Sequence, residues 1–252
     1  MIRSRSAVSD EMMKITILTM FPEMFESFMN APLIKRASER HLAEIETIDI
    51  KEYAVGSFRH IDDSPYGGGA GMIMRVQPVL DALESAKTEN SHTVLLAAAG
   101  KPYTQKDAHR LLKEEHLILI AGHYEGIDVR VYSHADELVS TGDYIVSGGE
   151  LPAMSIADSL IRLLDGVIRT DSTEDESFEN GLLEYPQYTK PADYNGEKVP
   201  DVLLSGNHEK IAAWRHEQSL LWTEKYRPDL LENYPLTEED MEILKKEKED
   251  RE

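Results

Sequence analysis

Apolar and polar residues alternate along Lys14-Ile15-Thr16-Ile17-Leu18-Thr19, a β-branched run that predicts a strand. Pro22 then opens a helix that the pattern carries to about His41. Alternation returns from Ile45 to Ile50, while the stretch from Gly56 to Met74 has no period and reads as a loop carrying a glycine cluster. A helix is predicted over Val76 to Ala86 and a buried strand over Thr93 to Ala98. Thr104-Gln105-Lys106-Asp107 is a capping signal for a helix ending near Glu115. Leu117 to Ala121 is an unbroken apolar strand, followed by a shorter run at Glu137-Leu138-Val139. Pro152 falls in the first turn of a further helix, whose apolar positions Met154, Ala157, Ile161 and Leu164 keep helical spacing. Strands alternating with helices predict an α/β domain on a largely parallel sheet, which the pattern alone draws as open and doubly wound.

After Leu164 the pattern changes. Gly166 to Gly181 is acidic and weakly apolar and reads as a linker. Beyond it, Glu209 to Lys225 places Ile211, Trp214, Leu220 and Leu221 on a helical face, predicting a small helical second domain. The divisions expected are an N-terminal extension over 1–12, a catalytic domain over 13–168, a flexible acidic linker over 169–180 and a helical domain over 181–252. There is no internal repeat.

Composition narrows the chemistry. The 252 residues include no Cys, which excludes disulfides, thiolate metal sites and Cys nucleophiles. Residues 1–12 are polar and do not resemble a secretory signal, and no run approaches the roughly 20 apolar residues of a spanning helix. A cytoplasmic protein without a membrane partner is expected. The formal charge of −20 argues at face value against nucleic acid. The acid is unevenly placed, however, with much of it in Asp171 to Glu179 and in the tail from Glu238 to Glu252. Nine His residues show no metal-binding spacing, so solvated or hydrogen-bonded His is the reading for each, His123 included.

Two Gly-rich turns follow apolar runs: Gly122-His123-Tyr124-Glu125-Gly126-Ile127-Asp128, and Thr141-Gly142-Asp143-Tyr144-Ile145-Val146-Ser147-Gly148-Gly149-Glu150-Leu151-Pro152. Strand ends opening into such loops are where α/β proteins place ligands. The bare backbone there predicts a pocket that resents added Cβ atoms, above all at Gly148-Gly149, where a side chain is expected to occupy ligand space. The cluster Gly67-Gly68-Gly69-Ala70-Gly71-Met72 lacks the last glycine of a dinucleotide fingerprint, and no Walker-type motif is present.

These blocks, with Pro65-Tyr66-Gly67-Gly68-Gly69, resemble the bacterial tRNA (guanine-N1)-methyltransferases, a SPOUT family, over about Met13 to Arg227. The resemblance implies a parallel sheet with a deep C-terminal trefoil knot, a feature no periodicity predicts. It implies S-adenosyl-L-methionine as methyl donor, a homodimer with the site shared between subunits, tRNA as partner, and Mg2+ as an aid although no metal site is legible. By the same resemblance the cofactor pocket is lined by Leu96, Ala98, Gly122, Tyr124, Glu125, Gly126, Thr141, Gly142, Asp143, Tyr144, Ile145, Val146, Gly148, Gly149 and Pro152. Tyr66, Gly67 and Gly68 fall near the target guanine, and Ser205, His208, Lys210 and Arg215 on tRNA, with Lys198, Lys225 and Arg227 as further candidate phosphate contacts. The chain departs from the family at Ala97-Ala98-Ala99-Gly100, where a Ser-Pro-Gln-Gly-like turn is usual.

The implied product is N1-methylguanine immediately 3′ of the anticodon. Guanine N1 carries a proton near neutral pH, so a base must remove it, while a cation near O6 stabilises the charge that develops. The resemblance makes Arg162 the cation. It places the base in an acidic Asp-Ser-Phe segment, which here reads Asp175-Glu176-Ser177-Phe178, so Glu176 is the base on register and Asp175 the alternative. The competing readings are a non-catalytic RNA-binding relative and a SPOUT enzyme acting on ribosomal RNA.

Overall fold

The computed structural model describes residues 12–168 and 175–251. Expectations that fall on 1–11 and 169–174 lie outside these residues. The chain divides into two compact units, the first ending at 169 and the second beginning at 170.

The first unit is built on strands β1 (Met13–Thr19), β2 (Ala43–Asp49), a two-residue pair β3 (Asp62–Asp63) and β4 (Ile73–Met74), then β5 (Ser91–Pro102), β6 (His116–Ala121) and β7 (Glu137–Ser140). Five of these form one sheet in the order β2-β1-β6-β5-β7, and each neighbouring pair runs parallel. The helices are α1 (Glu26–Met29), α2 (Pro32–Glu39), α3 (Val76–Ala86), α4 (Gln105–Leu111) and α5 (Glu150–Ile161). Strand β6 shows how the sheet is buried on both faces. Leu117, Leu119 and Ala121 pack with α2, α4 and α5 on one side. Ile118 and Ile120 pack with α3 on the other. A strand covered on both faces needs an unbroken apolar run, which is what Leu117 to Ala121 provides.

Three predicted elements change length. The helix expected from Pro22 to His41 is broken into a 3-10 turn at Pro22–Phe25, then α1 and α2. Pro32 is the cause: it has no N–H to give and forces Ala31 into an extended conformation (ψ 141°). Helix α4 stops at Leu111 rather than near Glu115, because the Glu115 carbonyl already accepts from Lys14 N–H at 2.9 Å on entering the sheet. Its capping signal forms, with Thr104 N–H donating to Asp107 Oδ2 at 3.1 Å. Strand β5 runs past Ala98 to Pro102.

The second unit contains the hairpin β8 (Asp193–Tyr194) and β9 (Glu197–Lys198), and the helices α6 (Asp201–Leu204), α7 (His208–Tyr226) and α8 (Glu238–Arg251). Asn207 caps α7 by accepting from Lys210 N–H at 3.1 Å. The core of this unit is Leu182, Leu220 and Leu244, with Leu221, Leu231, Tyr234, Leu236 and Ile243 packed around it.

Candidate functional site

Strands β6, β5 and β7 are parallel neighbours, so their C-terminal ends open on one edge of the sheet. Strand β5 makes the first part of the site by leaving its own ladder. Leu96 and Lys101 both oppose Val139, so the residues between them loop out towards that edge. Gly100 is where the chain returns. A Cβ there would lie 2.4 Å from the Val139 carbonyl carbon, so only glycine permits the approach.

The two Gly-rich loops are locked together. Gly149 N–H donates to the Gly122 carbonyl at 2.6 Å, and His123 and Gly148 form a β-bridge. Gly149 borders the cavity, but a side chain on it would point into the sheet rather than into ligand space. A Cβ on it would lie 2.7 Å from Ala121 Cα, inside β6, because α5 seats directly on that strand. A Cβ on Gly148 would strike the His123 ring and the Glu150 carboxylate, at 2.2 and 2.3 Å. The open position is Gly126 instead: its φ is +130° and a Cβ there meets no atom within 4 Å. Tyr124 also takes a left-handed conformation at φ 59°. Burial, reinforced by the Asp62 carboxylate, raises its hydroxyl above the ordinary value.

Between the loops and β1 lies a polar chain that the sequence did not reveal. The buried Glu150 carboxylate accepts from Thr19 Oγ1 at 3.0 Å and lies 3.4 Å from His123 Nδ1. Glu150 stands in the first turn of α5, where the helix dipole favours a carboxylate. The His123 ring meets Phe21 edge-on at 4.8 Å. His123 is thus hydrogen-bonded, one of the two states expected of it. The only sequence signal for Glu150 was an acid set between two glycines and Leu-Pro at a helix start.

Together these segments enclose a cavity of about 560 Å³. Every residue expected to line a cofactor pocket lines it except Asp143, which is exposed on the loop. His123, Ile127, Tyr132 and Ser140 also line it and were not foreseen. Ala97, Ala98 and Ala99 contribute from the β5 excursion.

The glycine loop before α3 is tied to this wall. Glu125 N–H donates to the Met72 carbonyl at 3.0 Å, and Met74 N–H to the Gly126 carbonyl at 2.9 Å. Tyr66 stands fully exposed on that loop, next to Gly67 and Gly68 at φ 87° and 81°. Arg162, half-buried, ends α5 with its N–H on the Asp158 carbonyl at 3.1 Å.

Asp175 and Glu176 belong to the second unit, and Glu176 opens a hydrogen-bonded turn. Glu179 N–H donates to the Glu176 carbonyl at 3.2 Å, Phe178 N–H to the Leu182 carbonyl at 2.8 Å, and Glu184 N–H to Ser177 Oγ at 2.9 Å. Asp175 is exposed and Glu176 half-buried. Ser205, His208 and Lys210 are exposed around the start of α7. Arg215 is half-buried, its guanidinium 4.6 Å from the Tyr185 ring centre. Arg227 is paired with Asp229 at 2.7 Å. Among the described residues no group of three His, Asp or Glu is placed to hold a metal, and no helix is long and apolar enough to cross a membrane.

The chain is an α/β protein whose parallel sheet carries a glycine-rich cavity at its C-terminal edge, the place where such sheets bind small molecules. The chain belongs to the tRNA (Guanine-1)-methyltransferase TrmD family, whose model matches residues 13–233. It is 52% identical over 235 residues to a tRNA (guanine-N(1)-)-methyltransferase of Clostridium botulinum, covering 92% of this chain and 98% of the relative. Proteins of the same name from Macrococcus caseolyticus and Staphylococcus aureus are 50% identical over 242 residues and 48% over 238. These matches cover 95% and 93% of this chain, and 100% and 97% of the relatives. The chain is therefore an enzyme of the methyltransferase class.

Proposed function

We propose that this chain methylates N1 of guanine in tRNA, at the position immediately 3′ of the anticodon, with S-adenosyl-L-methionine as donor. The observation that carries the reading is that two of the three Gly-rich blocks that carry the family resemblance, 122–128 and 141–152, are hydrogen-bonded to each other and line one cavity. The cavity fits that donor. Its volume of about 560 Å³ suits a ligand of nucleoside size. Its lining includes five glycines and three alanines, and the open face at Gly126 leaves room that a side chain would take. When bound there, S-adenosyl-L-methionine supplies an already activated methyl group on a sulfonium.

The chain's own residues do the rest. The loops at 122–126 and 141–146 hold and orient the donor. Glu176, or Asp175 beside it, removes the N1 proton of guanine, and Arg162 stabilises the charge developing at O6. Tyr66 and the bare backbone of Gly67 and Gly68 present a ring and main-chain groups to the base. Ser205, His208 and Lys210 contact the tRNA. The homodimer, the trefoil crossing and an assisting role for Mg2+ belong to the same proposal and rest on the resemblance.

Single-turnover methylation of tRNA tests the base. Glu176→Gln should nearly abolish product, Asp175→Asn should matter much less, and Glu176→Asp should keep substantial activity. The reverse ranking moves the base to Asp175, and an active double variant removes this step. Mapping N1-methylguanine in tRNA from cells with and without the protein tests the position.

A further inference from the structure

Arg215 was expected to meet a tRNA phosphate, yet its surroundings describe a different task. Its guanidinium lies 4.6 Å from the centre of the Tyr185 ring. Its Nε is buried and meets no acceptor. The guanidinium lies against a ring face, where a cation is attracted by the π quadrupole, and one of its donors is already turned away from solvent. Tyr185 is half-buried. Burial raises its hydroxyl above the ordinary value; the Arg215 cation acts against that rise, and the Asp175 and Glu184 carboxylates add to it.

The same helix grips the rest of the segment that carries Glu176. Thr223 on α7 is buried and its Oγ1 accepts from Leu183 N–H at 2.9 Å. Leu182 packs on Leu220 of α7 in the core of this unit. Just past the helix, the Arg227 guanidinium lies 5.8 Å from the Phe178 ring centre. Gly181, at φ +95°, closes the turn with its Cα face towards the Tyr234 ring. Residues 178–185 therefore meet α7 from Arg215 to its C-terminal end, with an arginine guanidinium within 6 Å of an aromatic ring at each end of that stretch.

We infer that Arg215 is a positioning residue, which through its stack on Tyr185 holds the 176–185 segment on α7 and so sets where the Glu176 carboxylate is presented. This deepens the proposed function, since it gives the base-bearing turn a fixed mount on the helix that also offers Lys210 to tRNA. A base displaced by about 1 Å loses on the order of 10²-fold in rate.

Arg215→Met, which keeps the apolar stem and removes the cation, is compared with the parent in single-turnover methylation and in tRNA binding across salt. The saturating rate should fall about 10- to 100-fold. The tRNA dissociation constant should stay within about threefold, with the salt slope unchanged. Tyr185→Ala should reproduce this, Tyr185→Phe should restore the rate, and Arg215→Met with Tyr185→Ala should be no worse than either alone. Weaker tRNA binding beyond about threefold, with a salt slope smaller by about one, would make Arg215 a phosphate contact and overturn the inference. An unchanged rate would overturn it as well. Hydrogen exchange of amides 176–185 separates this from the choice of base. Arg215→Met should lower their protection about tenfold even if Glu176→Gln proves fully active, and unchanged protection refutes the mount itself.

Discussion

Glycines at one pocket do different things, and substitution separates them. Gly149 lets α5 seat on β6, with the position of a Cβ 2.7 Å from Ala121 Cα. Gly149→Val should therefore overpack the sheet edge and cost about 3 kcal/mol of stability. Gly126 faces open space at φ +130°. Gly126→Ala should cost about 1–2 kcal/mol in backbone strain but weaken S-adenosyl-L-methionine binding far more than it weakens the fold. Thermal melts and calorimetric titration of the two variants check this; parent-like affinity in a folded Gly126→Ala protein would remove that wall from the pocket. Arg162 makes a second case at this scale. Its proposed role is confined to the chemical step, so Arg162→Ala should lower single-turnover rate by on the order of 10²–10³ with little change in cofactor affinity. Arg162→Lys should recover only part, because a point charge does not replace a planar fork. A parent-like rate in Arg162→Ala would take it out of the mechanism.

At the scale of elements, period and punctuation account for most of what was foreseen. Strand β6 and helix α3 fall where the apolar pattern puts them, because burial on both faces or on one helical stripe leaves a direct mark on residue order. The single helix predicted from Pro22 to about His41 divides into α1 and α2 at Pro32, a local break that the wider pattern does not mark. The β5 excursion at Ala97 to Gly100 was recognised only as a departure from the family. Its cause is a close backbone approach to Val139, which no periodicity encodes. The Thr19–Glu150–His123 chain was missed because it joins residues 131 apart. A similar cross-strand link can be tested by pH. His116 is buried where β1 meets β6, with its Nε2 2.8 Å from Thr16 Oγ1 and its Nδ1 2.9 Å from Thr88 Oγ1. Glu46, hydrogen-bonded to Thr16, and Lys14 are the charges nearest to it. Burial first, then Lys14, holds the imidazole below its ordinary value of 6.5. The unfolded chain then binds a proton that the folded chain resists, so stability falls as pH drops below about 6.5 until the folded imidazole also titrates. Burial raises the Glu46 carboxyl, but Thr16 and Lys14 outweigh it and hold it below 4.5, so its own loss begins only below about that pH. Urea unfolding of His116→Gln should show a flatter pH dependence below 6.5 than the parent, and identical slopes would refute the assignment.

On the scale of the whole molecule, the proposal places the cofactor pocket in the first unit and the base-bearing turn in the second, with the two contributed by different subunits of a homodimer. That arrangement has a consequence no single variant reveals. Take one subunit carrying Gly126→Ala, which spoils its pocket, and another carrying Glu176→Gln, which spoils its base. Each homodimer is inactive at both sites. In a mixed dimer with shared sites, one site collects both defects and the other collects neither. Random association of equal amounts makes half of the dimers mixed, so about a quarter of all sites are intact, a proportion fixed by the two-fold symmetry of the assembly. Co-expressing the two variants under separate tags and purifying through both isolates the mixed dimer, which should turn over at about half the parent rate. If pocket and base come from the same subunit, every site in the mixed dimer keeps one defect and the preparation stays inactive. If the chain is a monomer, the double purification yields no protein. The active outcome would also explain how a chain of net charge −20 engages tRNA without a uniformly basic surface. Each site would then need only local donors, such as Lys210 and the main chain at Gly67 and Gly68.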